Sequence, residues 1–164
     1  MDETAISFAA LDHQTYGKDI DMPIDLSGGG IQEAITDAAV RGHTVAWAYL
    51  DDDGWASLSF RGSTVVLGPT QLGVWARKRD EGLAAAVAAR PQVTALYFEH
   101  GGPGPVLLTI KGLAHVDESV NDTVYSSMPE MERTQDPEKL GVAVVVDVEK
   151  VFGFGAEGPF HQTK

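Results

Sequence analysis

The chain contains no cysteine. Disulfides, thiolate metal sites and cysteine nucleophiles are excluded together, and the composition suits a reducing cytoplasm. Basic residues are scarce: 12 Lys and Arg stand against 24 Asp and Glu, for a net charge of -12. Nucleic acids and anionic membrane surfaces both require a basic stripe, whereas most of this surface must be negative. Long apolar runs are missing too. None approaches bilayer-spanning length, and Met1-Asp2-Glu3-Thr4 lacks the basic and apolar parts of a secretion signal. A soluble cytoplasmic protein with neither nucleic acid nor membrane as a partner is expected. No period of roughly twenty to fifty residues repeats, which excludes solenoids and propellers.

Catalytic and metal motifs are equally sparse. The five histidines, His13, His43, His100, His115 and His161, form no metal-ligating pair. There is no G-x-S-x-G elbow, and Ser63 has no base evident from the sequence. Gly153 to Gly158 matches G-x-G-x-x-G, but Pro159 follows where a helix would have to receive the pyrophosphate. Residues 156–164 are expected to be a glycine-rich tail.

What the chain does hold is β-type sequence. At 164 residues it is long enough for one domain. Residues 1–30 read as an N-terminal arm ending in the joint Ser27-Gly28-Gly29-Gly30, and residues 31–155 as the folded domain. A helix is predicted over 31–40, ending at Arg41 and Gly42. Strands over 43–50 and 55–60 flank Asp51-Asp52-Asp53-Gly54, a hairpin turn rather than an EF-hand loop. Two more strands, 64–67 and 72–76, surround Gly68-Pro69-Thr70-Gln71, and a helix over 82–90 starts from Asp80 as N-cap. Strands over 92–99 and 105–116 are joined by a Gly/Pro loop from His100 to Gly104. The acidic stretch 117–140 places Val120, Val124, Met128 and Met131 on one helical face, with a last helical turn from Asp136-Pro137. Residues 142–151 read as a central strand. Six or seven strands in antiparallel order, with short helices inserted, predict a mainly β, closed or nearly closed barrel.

One stretch is set apart by its charge. Residues 56–79 contain no Asp or Glu but four of the basic residues: Arg61, Arg77, Lys78 and Arg79. A local charge of +4 on an acidic chain, just before a helix N-terminus, fits either a solvated basic loop or a phosphate-sized anion site.

Here the chain resembles the flavin-binding split-barrel proteins related to pyridoxamine 5'-phosphate oxidase. The resemblance covers about residues 31–152. It rests on the helix and hairpin of 31–60, the turn Phe60-Arg61-Gly62-Ser63-Thr64, and Leu72-Gly73-Val74-Trp75-Ala76-Arg77-Lys78 leading into Gly82-Leu83. The runs Gln92 to Phe98 and Leu107 to Ala114 also match. The resemblance implies a six-stranded antiparallel Greek-key barrel that forms a homodimer, with FMN in each interface cleft. It assigns the phosphate to Arg61, Ser63, Arg77 and Lys78, and places Ser57, Leu58, Ser59 and Trp75 near the ring system. The implied function is a flavin-dependent oxidoreductase acting on a small conjugated substrate. The alternatives are a deazaflavin-dependent reductase and a carrier of flavin or haem without turnover. With no thiol and no metal-ligating spacing in the chain, any redox chemistry must come from the bound cofactor.

Overall fold

All seven β-type runs become strands, and two further strands join them. The computed structural model describes residues 22–28, 30–100, 106–155 and 158–164. In chain order the elements are β1 (Met22–Pro23), α1 (Ile31–Thr36), β2 (Val45–Leu50), β3 (Ala56–Arg61), β4 (Thr64–Gly68), β5 (Gln71–Ala76) and α2 (Gly82–Ala89). There follow β6 (Gln92–Glu99), β7 (Val106–Val116), α3 (Asn121–Ser127), α4 (Glu130–Arg133), β8 (Val142–Gly155) and β9 (Gly158–Thr163). The protein is mainly β. Among the described residues a single sheet links nine strands, where the family resemblance implies six.

The sheet runs β1-β9-β8-β7-β6-β2-β3, with β4 and β5 attached through β8. All pairings are antiparallel except the short β1–β9 contact. The 14-residue β8 organises this arrangement. One of its edges carries β7, while the other is shared between β5, from Val142 to Asp147, and β9, from Lys150 to Gly155. Gly153 and Gly155 therefore lie within a strand and Gly158 opens the next, so no helix begins at the glycine fingerprint.

Burial alternates along β2 and β6 as a half-buried strand requires, so the sheet has an inner and an outer face. Val45, Trp47, Tyr97, Leu108 and Ile110 point inward, into a core completed by Ile31 and Ile35 of α1 and Leu83 and Val87 of α2. β5 and the first half of β8 are buried on both faces instead. Their second face lies under α3, where Val65, Trp75, Val124, Tyr125, Met128 and Ala143 form a second core.

Several boundaries differ from the sequence reading. α1 stops at Thr36, and residues 37–42 continue as turns; Arg41 folds back onto the carbonyls of Glu33 and Ala34 and onto Tyr97 Oη at 2.8 Å. The N-cap of α2 is Glu81 rather than Asp80, and it makes no side-chain cap. In the 117–140 stretch Val124 and Met128 are buried as expected, but Met131 is 58% exposed, because the helix breaks at Pro129. Residues 136–140 form no helical turn. Of the arm, Ile24 and Leu26 are buried in the main core; residues 1–21, Gly29, the loop 101–105 and residues 156–157 lie outside the described residues.

The β7–β8 ladder has one irregularity, where Lys111 faces Lys150 but Gly112 faces Val148, leaving Glu149 unpaired. A Cβ on Gly112 would overlap the backbone carbonyl oxygen of Asp147, an obstacle that cannot rotate away. Gly112→Ala is expected to cost about 2 kcal/mol, the usual cost of overpacking. Thermal melts should show a drop of about 4–8 °C; a midpoint moved by less than about 1 °C would mean that the bulge absorbs the methyl group.

Candidate functional site

The basic stretch divides between two sides of the molecule. On β3 the residues alternate: Ser57, Ser59 and Arg61 are half-buried on the inner face, while Leu58 and Phe60 stand 74% and 77% exposed on the outer face. Register places Ser57 opposite Tyr49, Ser59 opposite Trp47 and Arg61 opposite Val45, all inward residues. The Arg61 side chain is thus carried under the sheet, where four groups meet. Arg77 follows the end of β5, Tyr49 comes from β2, and Glu132 from α4 packs over Gly62.

Burial pushes the Arg61 guanidinium below its ordinary pKa; Tyr49 and Glu132 act against that shift and the positive charge of Arg77 adds to it. The guanidinium stays protonated, since the ordinary pKa of an arginine lies far above neutrality. Its Nε is buried and finds no hydrogen-bond partner, and neither does the buried Ser59 Oγ on the same face. A desolvated cation with an unmet donor is a costly arrangement unless an anion completes it. Beside it the chain enters α2 through Gly82, at a positive φ of 58°, and a Cβ added there would lie 3.5 Å from the Tyr49 hydroxyl. The start of α2 therefore lies next to Tyr49.

Of the other expected anchors, two are drawn into packing. Ser63 is 4% exposed, its Oγ donating to the carbonyl of Trp75. Trp75 is 3% exposed, stacks edge-on against Tyr125 and donates from Nε1 to Asp136 Oδ2 at 2.8 Å. Neither offers surface to a ligand. Lys78 is 72% exposed and paired with Glu81, and Arg79 reaches Glu118 at 2.7 Å and the carbonyl of Gly141. The triplet 77–79 thus diverges, and only Arg77 turns toward Arg61. Leu58 belongs to the outer face. The structure brings together Ser57, Ser59, Arg61 and Arg77; it adds Tyr49 and Glu132, which the sequence reading did not single out.

Elsewhere, the cluster Arg41–Tyr97–Glu99–His43 joins the segment after α1 to β6 and has no unmet polar atom. A cleft of about 400 Å³ lies on the outer face, lined by Ala48, Thr94, Lys111 and Lys150 among others. Among the described residues no group of His, Asp or Glu is placed to hold a metal ion. No helix there is long and apolar enough to cross a membrane.

No family model matches this chain, and no curated protein matches it in sequence. Solved structures do match it in shape. A pyridoxinephosphate oxidase family protein from Clostridium acetobutylicum, related to general stress protein 26 of B. subtilis, superposes with a TM-score of 0.55 at 7% identity; the match covers 76% of this chain and 88% of the other. An FMN-binding protein from Syntrophomonas wolfei gives 0.56 at 8% identity, over 76% of this chain and 86% of that one. A heme binding protein from Mycobacterium smegmatis gives 0.61 at 14% identity, over 83% of this chain and 58% of that one.

The fold is that of the pyridoxamine 5'-phosphate oxidase-like split barrels.

On this split barrel, the inner site is framed by the edge strand β3, the loop 77–81, the start of α2 and the short helix α4. Its floor is the inward row of β2 and β3, and its charge comes from residues that the β4–β5 hairpin places on either side. Arg61 and Arg77, sixteen positions apart in sequence, flank that hairpin and are folded back together through the Thr64–Val74 pairing.

Proposed function

We propose that this is a cytoplasmic split-barrel protein that binds FMN by its phosphate at Arg61 and Arg77, and acts as an oxidoreductase on a small conjugated substrate. The observation that carries this reading is the buried, partnerless Nε of Arg61, held beside a second arginine in an otherwise acidic protein. Two guanidinium groups suit the fork geometry of a phosphate, and the start of α2 supplies further N–H donors. Ser57 and Ser59 lie on the same inner face and would contact the ring-bearing part, with the unmet Ser59 Oγ as a hydrogen-bond donor. When bound, a flavin supplies hydride transfer; the chain's own residues bind and orient it and shield it from water. A deazaflavin coenzyme, which also carries a phosphate, would use the same residues.

The split barrel would work as a homodimer. On its outer face Leu58 and Phe60 of β3, Leu96 and Phe98 of β6 and Phe154 of β8 are 74%, 77%, 42%, 53% and 42% exposed; the ladders align Phe60 with Leu96 through Ala46, and Phe98 with Phe154 through Leu107. Several large apolar side chains exposed on one face mark a protein interface. A second copy of the chain is the proposed occupant, as an isologous contact requires no other partner.

The haem-binding neighbour supports a second reading, a carrier that holds a tetrapyrrole or flavin without turnover. One experiment separates the readings. The purified protein is expected to show flavin absorption near neutral pH, or to acquire it on adding FMN, and to release FMN on denaturation. It should elute as a dimer. A haem spectrum would favour the carrier, and a colourless protein that takes up neither pigment would sink both.

A further inference from the structure

The inner site contains a negative charge of its own. Glu132 comes from α4, in the segment between β7 and β8 that contributes no strand. Its carboxylate reaches Arg77, and acts on Arg61 by charge alone, because residue 62 is glycine: a Cβ there would collide with the Glu132 side chain. The carboxylate is mostly buried, at 18% side-chain exposure, and its Oε2 lies 3.6 Å from Arg77 Nη2. That distance is too long for a hydrogen bond, so the donors of Arg77 stay available. Among the described residues no hydrogen bond holds the Glu132 carboxylate; charge and packing alone keep it beside Arg77, where its charge also acts on Arg61.

We infer that Glu132 is a built-in counter-anion of this site and makes it prefer a singly charged phosphodiester to a doubly charged phosphomonoester. The inference rests on the reading of Arg61 and Arg77 as the phosphate anchors. A phosphomonoester has its second ionisation near pH 6, so it carries nearly two charges under neutral conditions. A phosphodiester carries one. Besides Glu132, the Asp136 carboxylate, held by Trp75 and the N–H groups of Leu140 and Gly141, also acts on Arg77, so a dianion leaves one more negative charge in excess than a monoanion does. In a partly desolvated site that excess acts directly between neighbouring groups and opposes binding. The ligand class favoured is a coenzyme whose chain runs through a phosphodiester.

Three probes with the same ring separate the charges: riboflavin, riboflavin 4',5'-cyclic phosphate as the phosphodiester, and FMN as the monoester. Affinities are read by flavin fluorescence at pH 8, for the unaltered protein, Glu132→Gln, Glu132→Ala and Arg61→Ala. The unaltered protein is expected to bind the cyclic phosphate at least as tightly as FMN. Both Glu132 variants should tighten FMN about three- to tenfold, the effect of one partly screened like charge. They should tighten the cyclic phosphate less and leave riboflavin unchanged. Gain of affinity on losing a side chain distinguishes a counter-anion from a packing residue, which would weaken all three probes alike. FMN binding more tightly than the cyclic phosphate in the unaltered protein would overturn the inference. So would an unchanged ratio between them in the two Glu132 variants. Failure of Arg61→Ala to weaken either phosphate would instead overturn the placement of the phosphate itself.

Discussion

Arg61→Ala is expected to weaken FMN binding about a hundredfold or more, with no loss of fold stability. A hydrogen bond to a charged group contributes about 1.5–3 kcal/mol, and a guanidinium fork makes two of them to one phosphate. Losing both amounts to about 3 kcal/mol or more, which is roughly two decades of affinity. Stability moves the other way from what a buried arginine first suggests. Burial already depresses its pKa and its Nε is unpartnered, and the attraction of Tyr49 and Glu132 that truncation removes is smaller than the desolvation it relieves. The melting midpoint without ligand should stay level or rise. Lys78→Ala serves as the comparison: its ammonium is solvated and paired with Glu81, so FMN affinity should change by less than about threefold. A flavin titration in which the two variants behave alike would show that the phosphate does not sit at Arg61.

Asp136→Ala should be the most destabilising of the substitutions considered, by about 3 kcal/mol or more. The carboxylate is 7% exposed and accepts from Trp75 Nε1 at 2.8 Å, from Gly141 N at 2.9 Å and from Leu140 N at 3.0 Å. Alanine would leave at least two buried donors without acceptors, at about 1–3 kcal/mol each. At about 2–4 °C per kcal/mol the midpoint should fall by roughly 6–12 °C. The same residue governs acid stability. Burial raises the Asp136 carboxyl, but the bonds from Trp75 and from the Gly141 and Leu140 N–H groups outweigh it, and its pKa lies below the ordinary value. A depressed folded-state pKa means that the contribution is complete above about pH 4 and is lost as pH falls through the folded value. Melts of the two proteins should therefore differ most at neutral pH and converge below about pH 4. A difference under about 1 kcal/mol at pH 7 would refute the role of Asp136.

The strands were legible where one physical rule dominates. Asp53-Gly54 fixes the β2–β3 turn, and Gly54 does adopt the positive φ that the turn requires. The alternation of Ala56 to Arg61 even shows which of these residues share a face, since Ser57, Ser59 and Arg61 are spaced by two. Trp75 could not be oriented in the same way. Every residue from Leu72 to Ala76 is buried, so nothing in the pattern says that its indole lies under α3 rather than beside a ligand. Lys78 and Glu81 are spaced to pair locally, a signal present in the sequence but outweighed by the attraction of counting charges. Glu132 was hidden among many acids, and only the fold reveals that Gly62 admits it. β9 was missed because Gly158 and Pro159 read as breakers, although Phe160 to Thr163 needs only the free edge of β8 to become a strand.

That free edge has a consequence for how the protein is made. β8 is the strand against which β5, β7 and β9 are all aligned, yet it comes last but one in the sequence. Residues 71–76 are synthesised early but find their partner only when residues 142–147 leave the ribosome, about seventy residues later. At roughly 5–20 residues per second, β5 waits about 4–14 seconds with one edge unpaired. During that interval the β4–β5 hairpin, rich in Val, Leu and Trp, is the segment most open to capture by a chaperone or by another nascent chain.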